Sequence, residues 1–183
     1  MTSAKLFSKF CKENRRQKGW LWILSGLIFT VFTFTFFMQD VLMDSDEMYF
    51  GLYNTKMMWI TLAVAAMIAF QGYGFLLQAK TVDFYYSLPV KRSHLFWGNY
   101  RNGIWVYLIP MLISQHICFF MVCGLGKEEW NELTGYLLWG IFVHVLAFFF
   151  FYHLAIMAIY LAGNMFGAVG IFVLLLYCSD CDR

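Results

Sequence analysis

The chain has 183 residues and a formal net charge of +2, and 61% of its residues are hydrophobic, 21% aromatic and only 13% charged. Soluble domains carry nearer a quarter charged residues, and with a mean hydropathy of +0.63 this surface would be one sticky patch in water. The small net charge gives no bulk attraction for nucleic acid, so the composition points to an all-α membrane protein, read as one polytopic helical bundle over residues 1–183.

In chain order, residues 1–18 form a basic flank carrying Lys5, Lys9, Lys12, Arg15, Arg16 and Lys18. Leu6, Phe7 and Phe10 fall at helical spacing with Lys5, Lys9 and Lys12 on the other side. That pattern suits an amphipathic helix lying on an anionic leaflet, and equally a charged flank that only sets topology. It does not read as a cleavable signal: the basic part and the apolar run are both too long, and no small-residue cleavage site follows.

Five apolar runs follow, at 20–38, 57–78, 104–125, 136–162 and 165–177. The first four reach the roughly 20 residues that cross ~30 Å of hydrocarbon as a helix. The fifth spans only if it tilts or borrows Leu161 to Asn164. The runs are continuous rather than alternating, which excludes barrel strands.

Loop charges predict the orientation. Ten of the 13 basic residues lie in the N-terminal flank or among Lys80, Lys91, Arg92 and Arg101. The loop after the first run sets Lys56 against Asp40, Asp44, Asp46 and Glu47; the loop after the third sets Lys127 against Glu128, Glu129 and Glu132. The positive-inside rule then puts the N-terminus and the 80–101 segment in the cytoplasm and the acidic loops outside, giving a multi-pass protein of the cell membrane.

Polar groups inside spans are candidates for function. His116 lies in the third run, His144 and His153 in the fourth. The last two are nine residues apart, half a turn out of phase on a helix. They point to opposite faces, so no metal is expected and the histidines read as interhelical hydrogen-bonders or interfacial groups. An integral membrane enzyme using them is the less favoured alternative. Gln71 and Gln78 are seven apart and share a helical face beside Gly72 and Gly74, suiting helix packing or a polar path. Thr30, Thr33 and Thr35 can bond back to their own helix. The run Phe148 to Phe151 reads as lipid-facing bulk. Cys178 and Cys181 have CxxC spacing, but one such pair cannot fill a tetrahedral zinc site, and a local disulfide is the remaining chemistry. The sole Gly-Lys pair, Gly126-Lys127, has Met121 where a GxxxxGK phosphate loop needs glycine. No nucleotide cofactor is therefore expected on this chain by that route.

The polar island at 80–101 is the most informative segment. Asp83 to Ser87 can form a short helix that Pro89 stops, and Ser93 is a candidate N-cap for a helix leading into the third span. Phe84, Tyr85, Tyr86 and Phe96 would form an aromatic patch beside Lys91 and Arg92, the residue types of binding hot spots; the alternative is a solvated loop anchored to headgroups.

From Asp83 to Tyr100 the chain reads Asp-Phe-Tyr-Tyr-Ser-Leu-Pro-Val-Lys-Arg-Ser-His-Leu-Phe-Trp-Gly-Asn-Tyr. This resembles the cytoplasmic loop between spans two and three of ABC-2 type permeases, above all the Gram-positive group with Asp-Phe-Tyr-Xaa-Ser-Leu-Pro-(Val/Ile)-Xaa-Arg-Xaa-Xaa-Leu-Phe. The resemblance implies the permease subunit of an exporter that works as a dimer with a second copy or paralogue. A separate ATP-binding subunit would hold ATP and Mg. It implies that Asp83, Phe84, Tyr85, Ser87, Leu88 and Pro89 contact that subunit, with Lys91 and Arg92 at the membrane surface. It also implies a sixth span, where this sequence carries five. A non-transporting membrane anchor that recruits a soluble partner through the same island is the alternative.

Overall fold

In the computed structural model the described residues are 12, 16, 19–42, 55–78, 82–83, 87, 91–125 and 130–180. They form an all-helical bundle, with no strand among them. The helices are α1 (Gly19–Leu42), α2 (Thr55–Tyr73), α3 (Arg92–Leu125), α4 (Trp130–Leu161) and α5 (Met165–Asp180), with a 3-10 turn at Gly74–Leu77 extending α2. Among the described residues three stretches are long and apolar enough to cross a membrane: Met57–Leu77, Arg92–Met121 and Thr134–Leu161. Gly19–Thr35 and Met165–Cys178 are shorter apolar helices.

The side-chain pairs fix the packing directions. Tyr73 meets both Phe96 and Tyr160, and Tyr107 reaches Thr61 and the His144 carbonyl. Hence α2 and α4 run one way and α3 runs against them. Ser25 and Phe29 of α1 touch Val106 and Tyr107. The end where α2 finishes and α3 begins is the island end.

Each helix shows which face it buries. Along α1, Leu21, Ser25, Phe29 and Thr33 are buried at four-residue spacing while Ile23, Leu27 and Val31 are exposed. Along α3, Trp97, Arg101, Trp105, Ile109, Ile113 and Ile117 make the exposed stripe, the period expected of one helical face. Exposed Trp97 and Tyr160 lie towards the island end, and exposed Tyr136 and Trp139 towards the other. Trp and Tyr towards both ends of a bundle are placed as interfacial anchors are.

Several expectations are corrected. The helix that carries the third apolar run begins well before Ile104: α3 is one helix of 34 residues, about 51 Å long at 1.5 Å per residue. Ser93 is not its N-cap. The His94 and Leu95 amides both bond the Lys91 carbonyl, so the helix starts two residues earlier, at Arg92, and Ser93 lies inside it. The helix of the fifth apolar run does not borrow Leu161 to Asn164: it starts at Met165. Asn164 caps α5 instead, accepting the Gly167 amide on Oδ1 at 2.7 Å and the Ala168 amide on its carbonyl at 3.0 Å; Asn is among the strongest N-caps because its oxygen satisfies an orphan amide.

Pro110 sits inside α3. Proline has no N–H, so the Val106 carbonyl loses its helical partner. Ser25 of α1 replaces it, its Oγ donating to Val106 O at 2.7 Å. Neighbouring Ser and Thr side chains are what allow proline inside membrane helices. Three helices come close together at Gly103. A Cβ there would run into the Tyr152 hydroxyl and lie 2.9 Å from its Cζ and 3.0 Å from Ile68 Cγ2. Glycine at this position lets α2, α3 and α4 meet.

Candidate functional site

The site has two parts: the foot of the island and a column of rings that rises from it. Of the island residues expected to contact a partner, Asp83 and Ser87 are helical and exposed; the charges Lys91, just before the helix, and Arg92, its first residue, are exposed as well. The Val82 amide bonds the Gln78 carbonyl at 3.0 Å. Phe84, Tyr85, Tyr86, Leu88 and Pro89 lie outside the described residues. In the N-terminal flank Lys12 and Arg16 are helical and exposed; Leu6, Phe7 and Phe10 lie outside.

Phe96 does not join an exposed patch. It is half-buried and turned into the bundle, 5.5 Å from the Tyr73 ring and stacked on Tyr100 at 5.8 Å. The Tyr73 hydroxyl donates to the Phe96 carbonyl at 3.2 Å. The two helices that flank the island are therefore clamped together at its foot.

From there the rings continue without a gap. Tyr100 stacks on Tyr152 (5.6 Å), Tyr152 on Phe148 (5.1 Å) and Phe148 on Tyr107 (3.9 Å, interplanar 12°); Phe29 then meets Tyr107 edge-on at 5.3 Å. Offset-stacked and T-shaped pairs of this kind add about 0.5–1.5 kcal/mol each beyond their contact area. Phe148, expected to face lipid, is fully buried at the centre of this column, whereas Phe150 beside it is half-exposed. Hydropathy does not separate the two, because only the helix phase relative to α3 decides which ring turns inward.

The column ends on a buried polar node. Tyr107 Oη donates to the His144 carbonyl at 3.3 Å, which leaves the Thr61 hydroxyl, 3.2 Å away, to donate to Tyr107. Thr61, Tyr107 and His144 are all fully buried. Sequence reasoning did not pick out Thr61, Tyr107 or Ser25. The signal that could have found Ser25 was Pro110, whose freed carbonyl demands a donor from elsewhere.

The three span histidines do not converge. Each donates Nδ1–H to the carbonyl four residues back: His116 to Leu112, His144 to Gly140, His153 to Phe149. His153 adds a ring bond between helices, its Nε2 accepting the Tyr100 hydroxyl at 3.1 Å. His144 is buried while His116 and His153 are exposed. His144 Nε2 is a buried acceptor with no partner. Among the described residues no three His, Cys, Asp or Glu side chains come together as a metal site.

Thr35 bonds back to Val31 as expected, at 2.8 Å, but Thr33 does not: its hydroxyl is buried without a partner. Gln71 and Gln78 are both exposed. The 3-10 turn at Gly74–Leu77 lies between them and Gln78 is extended, so the shared face expected of a continuous α-helix is lost. A polar path using them would need a surface facing this chain from outside. Cys178 is an exposed free thiol, and Cys181 lies outside the described residues.

No family model, curated protein or solved structure matches the chain.

Proposed function

We propose that this chain is the membrane-spanning permease subunit of an ATP-binding cassette exporter. It crosses the cell membrane five times with its N-terminus in the cytoplasm, pairs with a second copy or a paralogue, and leaves ATP and Mg to a separate ATPase subunit. The chain itself performs no bond-breaking chemistry. Asp83, Phe84, Tyr85, Ser87, Leu88 and Pro89 form the contact with the ATPase, and Lys91 and Arg92 hold its rim to anionic headgroups.

The observation that supports this reading most is the continuity of α3. A single helix starts at Arg92, directly after the segment that resembles a permease coupling loop, and runs on past the buried node to Leu125. Force applied at the island then reaches the middle of the bundle through rigid secondary structure, by the packing shifts that helices undergo in switching transitions.

The test is purification of the tagged chain from its native membranes. A Walker-type ATPase should be recovered with it, and Asp83→Arg or Leu88→Asp should cut that recovery about tenfold, as hot-spot losses do. Recovery without any ATPase would sink the reading; full recovery with both variants would sink the contact. Substrate-stimulated ATP hydrolysis in reconstituted vesicles distinguishes transport from a membrane anchor using the same surface.

A further inference from the structure

Three observations meet at one level of α3. Pro110 removes the amide that would bond the Val106 carbonyl. Ser25, on a different helix, supplies that bond at 2.7 Å. Tyr107, one residue further on, is the last α3 ring of the column and is held by Thr61 and the His144 carbonyl. All of these groups are buried, so water does not satisfy the carbonyl in their place.

We infer that the Val106–Pro110 turn is a hinge in α3, and that Ser25 is the latch that holds it. Residues 92–106 then form an arm about 21 Å long at 1.5 Å per residue. Helix bends are localised where proline interrupts the i→i−4 ladder. With the bond made, the arm and the far half of α3 behave as one rod tied to α1. With it broken, the arm tilts about Pro110 while the far half stays packed.

The arm's contacts fit this division. Its Phe96 ring packs at a tilt against Tyr73 and its Tyr100 ring stacks on Tyr152, and Gly103 sits against Tyr152 and Ile68. A tilt of the arm therefore presses on α2 and α4 at the island end, while Tyr107 marks the pivot, where displacement is smallest. What drives the tilt in the cell rests on the exporter reading above; the hinge and its latch do not.

Two measurements on the full chain in lipid nanodiscs test this. Paired spin labels, introduced as non-natural amino acids at the exposed positions Ser93 and Ile117, report the bend of α3; a straight helix places these backbone sites about 36 Å apart. Ser25→Ala should broaden the distance distribution towards shorter values, and Pro110→Ala should narrow it towards the straight-helix value. The same distribution in wild type and both variants overturns the hinge. The second is the unfolding equilibrium. Ser25→Ala should raise the unfolding constant about three- to tenfold in wild type, the usual range for losing one buried hydrogen bond. In a Pro110→Ala background, where the substitution restores a backbone N–H that can bond the Val106 carbonyl, it should change less than about twofold. An equal effect in both backgrounds overturns the latch. Neither readout involves an ATPase, so failure to recover one leaves this result standing, and the reverse.

Discussion

Helices α2 and α5 are both apolar, and the bundle treats them oppositely. In α2, Met57, Ile60, Thr61, Val64, Ala65, Ile68, Ala69 and Tyr73 are buried against α3 and α4. Among the described side chains of α5 only Ala168 and Phe172 are buried, while Phe166, Val169, Val173, Leu174 and Tyr177 are exposed. Phe172 joins the two helices through a ring contact, 6.4 Å from Phe70. Lipid tails are as apolar as leucine, so nothing drives an apolar face inward merely because it is apolar. What holds α2 in place is specific: the hydroxyls of Thr61 and Tyr73, and the gap at Gly103. The specific polar bond at α5 is local, at its Asn164 cap.

The largest expected effect sets a buried ring of the core that encloses α2 against an exposed side chain of α5. Phe148→Ala removes the central ring of the column and should destabilise by on the order of 3 kcal/mol. Val173→Ala should stay within about 0.5 kcal/mol. Denaturant titration in mixed micelles compares them, and equal midpoints would erase the distinction between a packed core and a peripheral helix.

A smaller effect comes from adding one carbon. Gly103→Ala forces Tyr152 or Ile68 to shift and should cost about 1–3 kcal/mol through overpacking. At Gly170 of α5 a Cβ meets nothing within 4 Å, so Gly170→Ala should be neutral or stabilise by up to about 1 kcal/mol through helix propensity. The same titration reads both; a destabilising Gly170→Ala would mean α5 is as tightly packed as α2.

The smallest global effect is expected at the cap. Asn164→Ala should cost about 1 kcal/mol locally, seen as faster hydrogen exchange at the Gly167 and Ala168 amides, with the midpoint of global unfolding unmoved. A midpoint shift matching that of Phe148→Ala would show α5 to be part of the cooperative core.

The sequence was legible where chemistry is local. Its apolar runs mark the described helices to within a few residues, except at α4, which starts at Trp130 rather than Tyr136, and at α3. There the charges of Arg92 and Arg101 read as loop, because a helix that projects beyond the hydrocarbon keeps its first turns polar. The break at Ala162, Gly163 and Asn164 was visible, though its use as a cap was not. Pro110 was visible too, but its consequence was not, since the serine that answers it lies 81 positions from the Val106 carbonyl it bonds. Of the site, exposed Asp83, Lys91 and Arg92 were legible as charges in a polar island. The column was not, since Phe148 and Phe150 are the same residue in the same run.

The order of amino acids is enough to make this chain helical, apolar and interrupted by one basic aromatic island. Uncharged runs of this length have only a helix in which to satisfy their backbone in hydrocarbon. Packing in three dimensions selects which face of each helix is core, which rings stack into the column and which serine closes the gap at Pro110. Helix association in an apolar solvent is directed by close packing and hydrogen bonds between distant residues, and neither leaves a periodic trace along the chain.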